Sequence, residues 1–356
     1  MKNSNLRILI LRLGSPYQLD GVNNSIYILA ETFMMLKHEP IVIGGFGDYP
    51  SKNSLTRVFD VKEVPNIVTL SKGKPHVRLL LWLHWLRNGG KIIKNFNPDI
   101  IITAGVIPIP KIGFRILYTY DVPKIFWQKI LGKALLNKYN AYVFISSIVK
   151  KSFLASYGIS DDRCSIIPLP IEVSRYKIRS YSEREHAILF VDNRRRRNLL
   201  FALEIFNQIS KYDKDVMLYI VGIKDLFFEN FPRDRVVCLG LISRKALREL
   251  YSKVKLLLIP SSYEGFGYPV LEAFATGTPV VGSSSIPSEL LIDGYNGFRI
   301  KSFELKPYVK AVLKLLGDDR LWIKLHKNAI KTASRYDAKS IALQFIELYE
   351  KLGSIE

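Results

Sequence analysis

Residues 254–282 read as strand, turn, helix and strand without interruption, and that order restricts what the chain can fold into. Val254 and Leu256, Leu257, Leu258 and Ile259 make an apolar run of the kind found in strands buried on both faces. Pro260, Ser261 and Ser262 end the run, and Glu264-Gly265-Phe266-Gly267 forms a tight turn. From Pro269 onward Val270, Leu271, Phe274 and Ala275 recur at helical spacing. A proline suits the first helical turn, where a backbone donor has no partner to lose. Gly277-Thr278-Pro279 stops the helix, and Val280-Val281-Gly282 begins another strand. Strands joined through a helix belong to parallel sheets.

The same alternation runs through the whole chain. Short apolar runs at 6–13, 40–44, 98–103, 115–121, 141–146, 187–191, 218–222 and 236–240 read as buried strands. A helix is predicted from about Asn24, with Asn23 or Asn24 as its N-cap and Ile26, Leu29, Ala30, Phe33 and Met34 on one face. Further amphipathic helices are expected over 306–317, 321–336 and 338–352. The fold class is therefore α/β, with two doubly wound Rossmann-like domains whose ligands bind at the carboxyl edges of the sheets. A polar, charged linker at 174–186 places the boundary near residue 170, giving domains 1–170 and 171–337. A length of 356 residues suits two such domains, and 48% hydrophobic residues argue against disorder.

At the turn after Pro260, the amides of Gly265, Phe266 and Gly267 lie at a helix N-terminus, which favours an anion such as phosphate. Glu264 and Glu272 add two acceptors spaced along that element, suited to hydroxyls on two parts of an extended, polyhydroxylated ligand. The alternative is a surface loop with an exposed helix glutamate, although Glu272 stands among apolar residues where an unpaired charge is costly.

Glu264-x7-Glu272, with Gly265-Phe266-Gly267 and Ala273-Phe274-Ala275-x-Gly277-x-Pro279-Val280-Val281, resembles the signature of retaining glycosyltransferases of the GT-B fold, family 4. The resemblance implies two domains facing across a cleft, the second binding a nucleotide-sugar donor and the first an acceptor. A final helix, about 338–356, is expected to cross back to the first domain. It further implies that Glu264 holds donor-sugar hydroxyls, that Glu272 binds the ribose, and that Tyr268 and Leu271 line the donor. Family members carry an Arg and a Lys that grip the donor diphosphate; Arg194 resembles the first, and Arg196 or Arg197 stands for the second, after Asp192 at the strand end. Leu241 falls in the loop that touches the nucleotide base.

The first half matches less closely. Where the family reads Gly-Gly-Val, this chain has Asp20-Gly21-Val22, and Gly21 either lets a phosphate approach or makes a plain turn. Where the family has His-Asp near the transferred sugar, Tyr120-Asp121 stands. Tyr120 can hydrogen-bond a hydroxyl but cannot shuttle a proton at neutral pH. No cofactor and no metal are expected, since a carboxylate pair that grips a cation is missing and arginines can neutralise the leaving diphosphate. Other readings of the same fold are a sugar-nucleotide epimerase or phosphorylase, though no lysine site for a phosphorylase cofactor is found. A non-catalytic relative binding nucleic acid or a membrane surface is a further alternative.

The net charge of +20 points to anionic partners or to a generally basic surface. Residues 1–170 carry 22 Lys and Arg against 10 Asp and Glu. In the segment 72–94, Trp82 and Trp85 are flanked by Lys72, Lys74, Arg78, Arg87, Lys91 and Lys94, which suits a peripheral helix at an anionic membrane or a helix packed on the sheet. Cys164 and Cys238 make neither a disulfide scaffold nor a zinc site, so a reducing cytoplasm is expected. The apolar segment before Arg12 is too short for a secretory signal, and no run of apolar residues is long enough to span a bilayer. The acceptor (glycan, lipid or protein), the donor sugar and the oligomeric state are not encoded in any motif.

Overall fold

A computed structural model describes residues 5–12, 21–46, 66–71, 78–121, 126–159, 162–191, 197–225 and 232–353. The chain divides into two compact units, Met1–Pro170 with Ala338–Glu356, and Ile171–Asp337.

The first unit contains β1 (Arg7–Leu11), α1 (Gly21–Met35), β2 (Glu39–Phe46), β3 (Asn66–Ser71), α2 (Arg78–Phe96), β4 (Ile100–Ala104), β5 (Phe114–Thr119), α3 (Phe126–Leu136), β6 (Ala141–Phe144), α4 (Ser147–Tyr157) and β7 (Cys164–Ile166). Its strands form one parallel sheet in the order β3-β2-β1-β4-β5-β6-β7. The direction of winding reverses between β1 and β4. Ile8, Leu9, Ile10, Ile100, Ile101 and Ile102 are buried, as strands covered on both faces require.

The second unit contains β8 (Glu185–Val191), α5 (Leu199–Tyr212), β9 (Met217–Val221), β10 (Val236–Gly240), α6 (Arg244–Lys253), β11 (Val254–Ile259), α7 (Tyr268–Ala275), β12 (Val280–Ser283), β13 (Gly297–Ile300), α8 (Leu305–Gly317) and α9 (Asp319–Ser334). The sheet order is β10-β9-β8-β11-β12-β13, again parallel throughout. Ile188, Phe190, Leu218, Ile220, Leu256 and Leu258 on one face pack with Phe206, Leu315 and Trp322. Burial of such a side chain contributes about 1.5–3 kcal/mol. The last helix, α10 (Ala338–Gly353), belongs to the first unit, where Phe345 meets the Tyr118 ring at 5.1 Å and Tyr349 meets Phe114 at 5.6 Å.

Three expectations are corrected. Helix α1 starts at Gly21, not Asn24, and Asn23 and Asn24 are buried inside its first turn. Asn23 is no N-cap: its Oδ1 accepts from the Arg12 guanidinium. Trp85 is 1% exposed and donates from Nε1 to the Pro108 carbonyl at 2.7 Å, so it packs inward and not at an interface. The stripe Trp85, Gly89 and Ile93 is the buried side of α2. Trp82 has no described side chain, and Lys72 and Lys74 lie outside the described residues.

The third correction concerns 174–186, which is no bare linker. Arg184 is 6% exposed and donates to the carbonyls of Arg179, Tyr251, Val254 and Thr276 and to Thr278 Oγ1 at 2.6 Å. Its guanidinium also lies 4.9 Å from the Trp322 ring. The charge that made this stretch look solvated is turned onto carbonyls at the C-terminal ends of α6 and α7. Only an arginine has enough donors to serve that many acceptors.

Candidate active site

In doubly wound sheets a ligand binds outside the carboxyl ends of the strands, where the winding reverses. In the second unit that place lies between β8 and β11. Strand β8 ends at Val191, and the chain is next described at Arg197, which donates from Nη1 back to the Val191 carbonyl at 2.8 Å. Asn198 donates to the Pro260 carbonyl at 3.0 Å, tying the same loop to the end of β11. The Ser261 carbonyl accepts from Ser283 at 2.5 Å and from Ser285 at 2.9 Å, which fixes the backbone after β11 against the end of β12.

Glu264 stands on this platform. Its Oε1 accepts from the Ser261 hydroxyl at 3.0 Å and faces Arg197 Nε at 3.4 Å. Neither residue has any other partner among the described residues that would occupy Glu264 Oε2 or Arg197 Nη2. One carboxylate oxygen and one guanidinium nitrogen are therefore left at the carboxyl edge. Gly267 follows at φ +94°, a left-handed conformation that a side chain strains, and it caps α7. Among the described residues the amides of Phe266 and Gly267 meet no acceptor. Phe266 is held from behind by the Tyr336 ring at 5.8 Å. Donors without acceptors at a helix N-terminus suit an anion.

Glu272 lies further along α7 and is 3% exposed. Its Oε1 accepts from Arg244 Nη2 and from the Tyr176 hydroxyl at 3.2 Å, and its Oε2 accepts from the Tyr251 hydroxyl at 3.4 Å. Burial, then the Glu272 charge, push the hydroxyls of Tyr176 and Tyr251 well above the usual tyrosine range, so both remain donors. For Arg244 burial disfavours the charge, but Glu272 and the surrounding tyrosines outweigh it and raise its pKa. Tyr268 contributes its ring, 5.9 Å below the Arg244 guanidinium.

The remaining predicted residues divide three ways. Leu241 follows β10 and is 89% exposed, while Gly21 opens α1 and is partly exposed. Tyr120 follows β5, half-buried with its ring 4.6 Å from Tyr118. Leu271 is fully buried in α7, as Glu272 nearly is, and its amide donates to the Gly267 carbonyl at 3.3 Å. Asp192, Arg194 and Arg196 lie outside the described residues. Ser261, Tyr176, Arg244 and Tyr251 were not read from the sequence. Helix α6 had a usable signal, since Ala246, Leu247, Leu250 and Tyr251 recur at helical spacing behind Ser243, which accepts from the Ala246 amide at 3.2 Å. Tyr176 had none.

Two family profiles match the chain. The one described as "Glycosyltransferase Family 4" covers residues 19–175, and the one described as "Glycosyl transferases group 1" covers residues 175–335. The chain belongs to glycosyltransferase family 4. Its activity class is glycosyl transfer. The transferase is similar to the O-antigen chain mannosyltransferase RfbU of Salmonella typhimurium, at 26% identity over 66% of this chain and 71% of the relative. Its fold is GT-B, as in sucrose-phosphate synthase from Thermosynechococcus elongatus, with a TM-score of 0.77 at 16% identity over 99% of this chain and 100% of the other. The structure of Anabaena HepE in complex with UDP-glucose matches with a TM-score of 0.71 at 17% identity, covering 98% of this chain and all of that one (100%). Among the described residues no helix of the transferase is long and apolar enough to cross a membrane.

Proposed function

We propose that the transferase takes a hexosyl group from a nucleoside diphosphate donor at the carboxyl edge of the second unit's sheet and passes it to an acceptor hydroxyl with retention. One observation carries the donor reading: unpartnered amides at Phe266 and Gly267 stand on the same turn as the Arg197–Glu264 pair. The UDP-glucose bound by HepE and the mannosyl transfer named for RfbU support a nucleotide sugar carrying a hexose.

The chemistry follows from where charge develops. The bond between the sugar's anomeric carbon and the phosphate oxygen breaks, and negative charge grows on the departing diphosphate. Arg197 Nη2 and the two amides stabilise that charge more than they stabilise the bound donor, which lowers the barrier. Glu264 Oε2 takes donor-sugar hydroxyls, and Glu272 takes the ribose. The acceptor oxygen bonds to the anomeric carbon on the face the phosphate leaves, and its proton passes to the leaving phosphate oxygen. The acceptor is a hydroxyl of a glycan, lipid or protein. The epimerase and non-catalytic readings gain no support from the family match.

Incubation with a panel of UDP-, GDP- and ADP-hexoses, scoring nucleoside diphosphate release and the anomeric configuration of the product by NMR, tests this reading. Release with one donor and a retained product is expected; an inverted product removes retention, and no binding of any donor removes the donor site.

A contact with an anionic membrane surface is a second reading, for the first unit. It rests on Arg87, Lys91 and Lys94, which stand exposed on the side of α2 opposite Trp85, together with Leu86 at 60% exposure. Flotation with vesicles containing anionic lipid at low salt tests it, and an unchanged distribution would sink it.

A further inference from the structure

The cage around Glu272 is more complete than charge neutralisation requires. A carboxylate offers about four acceptor sites. Both sites of Oε1 are used by Arg244 and Tyr176, and one site of Oε2 is used by Tyr251 at 3.4 Å. Among the described residues, one site on Oε2 is left. The donors come from two separate places in the unit. Tyr176 precedes β8, whereas Arg244 and Tyr251 sit at the two ends of α6, two turns apart on the same face. Their convergence on one side chain fixes its rotamer from several directions.

A free glutamate would lose rotamer freedom on binding, and a fixed one has already done so. We propose that Arg244, assisted by Tyr176 and Tyr251, is a positioning residue that clamps Glu272 so that Oε2 presents a single acceptor site to one hydroxyl of the donor's ribose. The inference rests on the reading of Glu272 as the ribose acceptor. It adds that recognition is monodentate and depends on the clamp. A second ribose hydroxyl has nowhere to donate on Oε1 without displacing Arg244 or Tyr176.

The test is calorimetric binding of ribonucleoside diphosphates. UDP, GDP, ADP and CDP are compared first, and the tightest binder is then compared with its 2′-deoxy and 3′-deoxy counterparts. In the wild type one deoxy form should bind about tenfold or more weakly, as expected for a hydrogen bond to a charged group, and the other should bind within about twofold of the parent. In Arg244→Gln the ribo-to-deoxy ratio should fall to within about threefold, because the unclamped carboxylate no longer aims one site. If the wild type binds all three forms equally, the ribose reading of Glu272 falls. If both deoxy forms lose affinity alike, the single-site claim is overturned. If Arg244→Gln weakens every form by one common factor and keeps the wild-type ratio, Arg244 is merely structural and the proposal is overturned. Should Arg244→Gln fail to melt as a folded protein, Tyr176→Phe removes one donor from Oε1 without removing charge. It should also shrink the ratio, and an unchanged ratio there overturns the proposal.

Discussion

Arg197 Nε faces Glu264 Oε1 at 3.4 Å, and the two side chains are only 6% and 14% exposed. The pair joins the loop after β8 to the turn after β11, across the point where the winding of the sheet reverses. A cation and a carboxylate brought together there, each keeping one atom without a partner, form a site that can contact a sugar and a diphosphate at once. In such a partly dry place the pair interacts more strongly than a surface pair would.

Arg197→Ala should act on turnover. Removing one preorganised donor to a developing anion lowers kcat about a hundredfold. KM for the donor should move less, because the charge being stabilised is greatest in the transition state. Steady-state kinetics decide this, and a change confined to KM contradicts the assignment.

Glu272→Ala should weaken donor binding, and it also leaves Arg244, Tyr176 and Tyr251 without their common acceptor. Breaking a buried pair in this way costs about 3–5 kcal/mol of stability. Thermal melting should show that loss. Glu272→Gln keeps the shape and should lose less stability while still binding donor more weakly. A folded Glu272 variant with wild-type donor affinity removes the ribose assignment.

Gly267→Ala tests the turn. A Cβ there would sit in ordinary contact, 3.5 Å from Val270 Cγ2, so space is not the difficulty. The strain comes from φ +94°, which costs a non-glycine residue about 1–2 kcal/mol. A lower melting temperature with weaker diphosphate binding is expected, and unchanged stability would contradict the left-handed turn.

Acid should destabilise each unit through a half-buried histidine. Burial lowers the pKa of His38, whose Nδ1 accepts from the Leu6 amide at 3.2 Å and so must be unprotonated. Burial also lowers that of His326, stacked on Trp322 and 2.7 Å from the Gly277 carbonyl. A folded-state pKa below the unfolded value of about 6.5 means the unfolded chain binds more protons as the pH falls. The stabilisation is complete above that pH and is lost progressively below it. Urea midpoints measured from pH 7.5 to 5 should decline in the wild type and decline less in His326→Gln. Equal slopes in the two proteins contradict the account for His326.

Much of this architecture was legible because parallel strands buried on both faces must be continuous apolar runs, as at 187–191 and 254–259. The signature around Glu264 was legible because Gly267 and Gly277 hold backbone conformations that favour glycine, both with positive φ. Strand β3 and strand β13 escaped, since Asn66–Ser71 and Gly297–Ile300 mix polar and apolar residues at the sheet edges. The partners of Glu272 escaped for a different reason. Arg244 looks like any surface arginine until the fold brings α6 beside α7, and Tyr176 sits in a stretch whose charge made it look solvated.

The most direct test of the donor site is amide hydrogen exchange of the full chain with and without the nucleotide sugar that gives the most diphosphate release. Protection should appear at Phe266 and Gly267, at the loop around Arg197 and Asn198, and at the start of α7. Protection confined to the first unit, with the turn from Glu264 to Gly267 exchanging as in the free protein, would contradict the account.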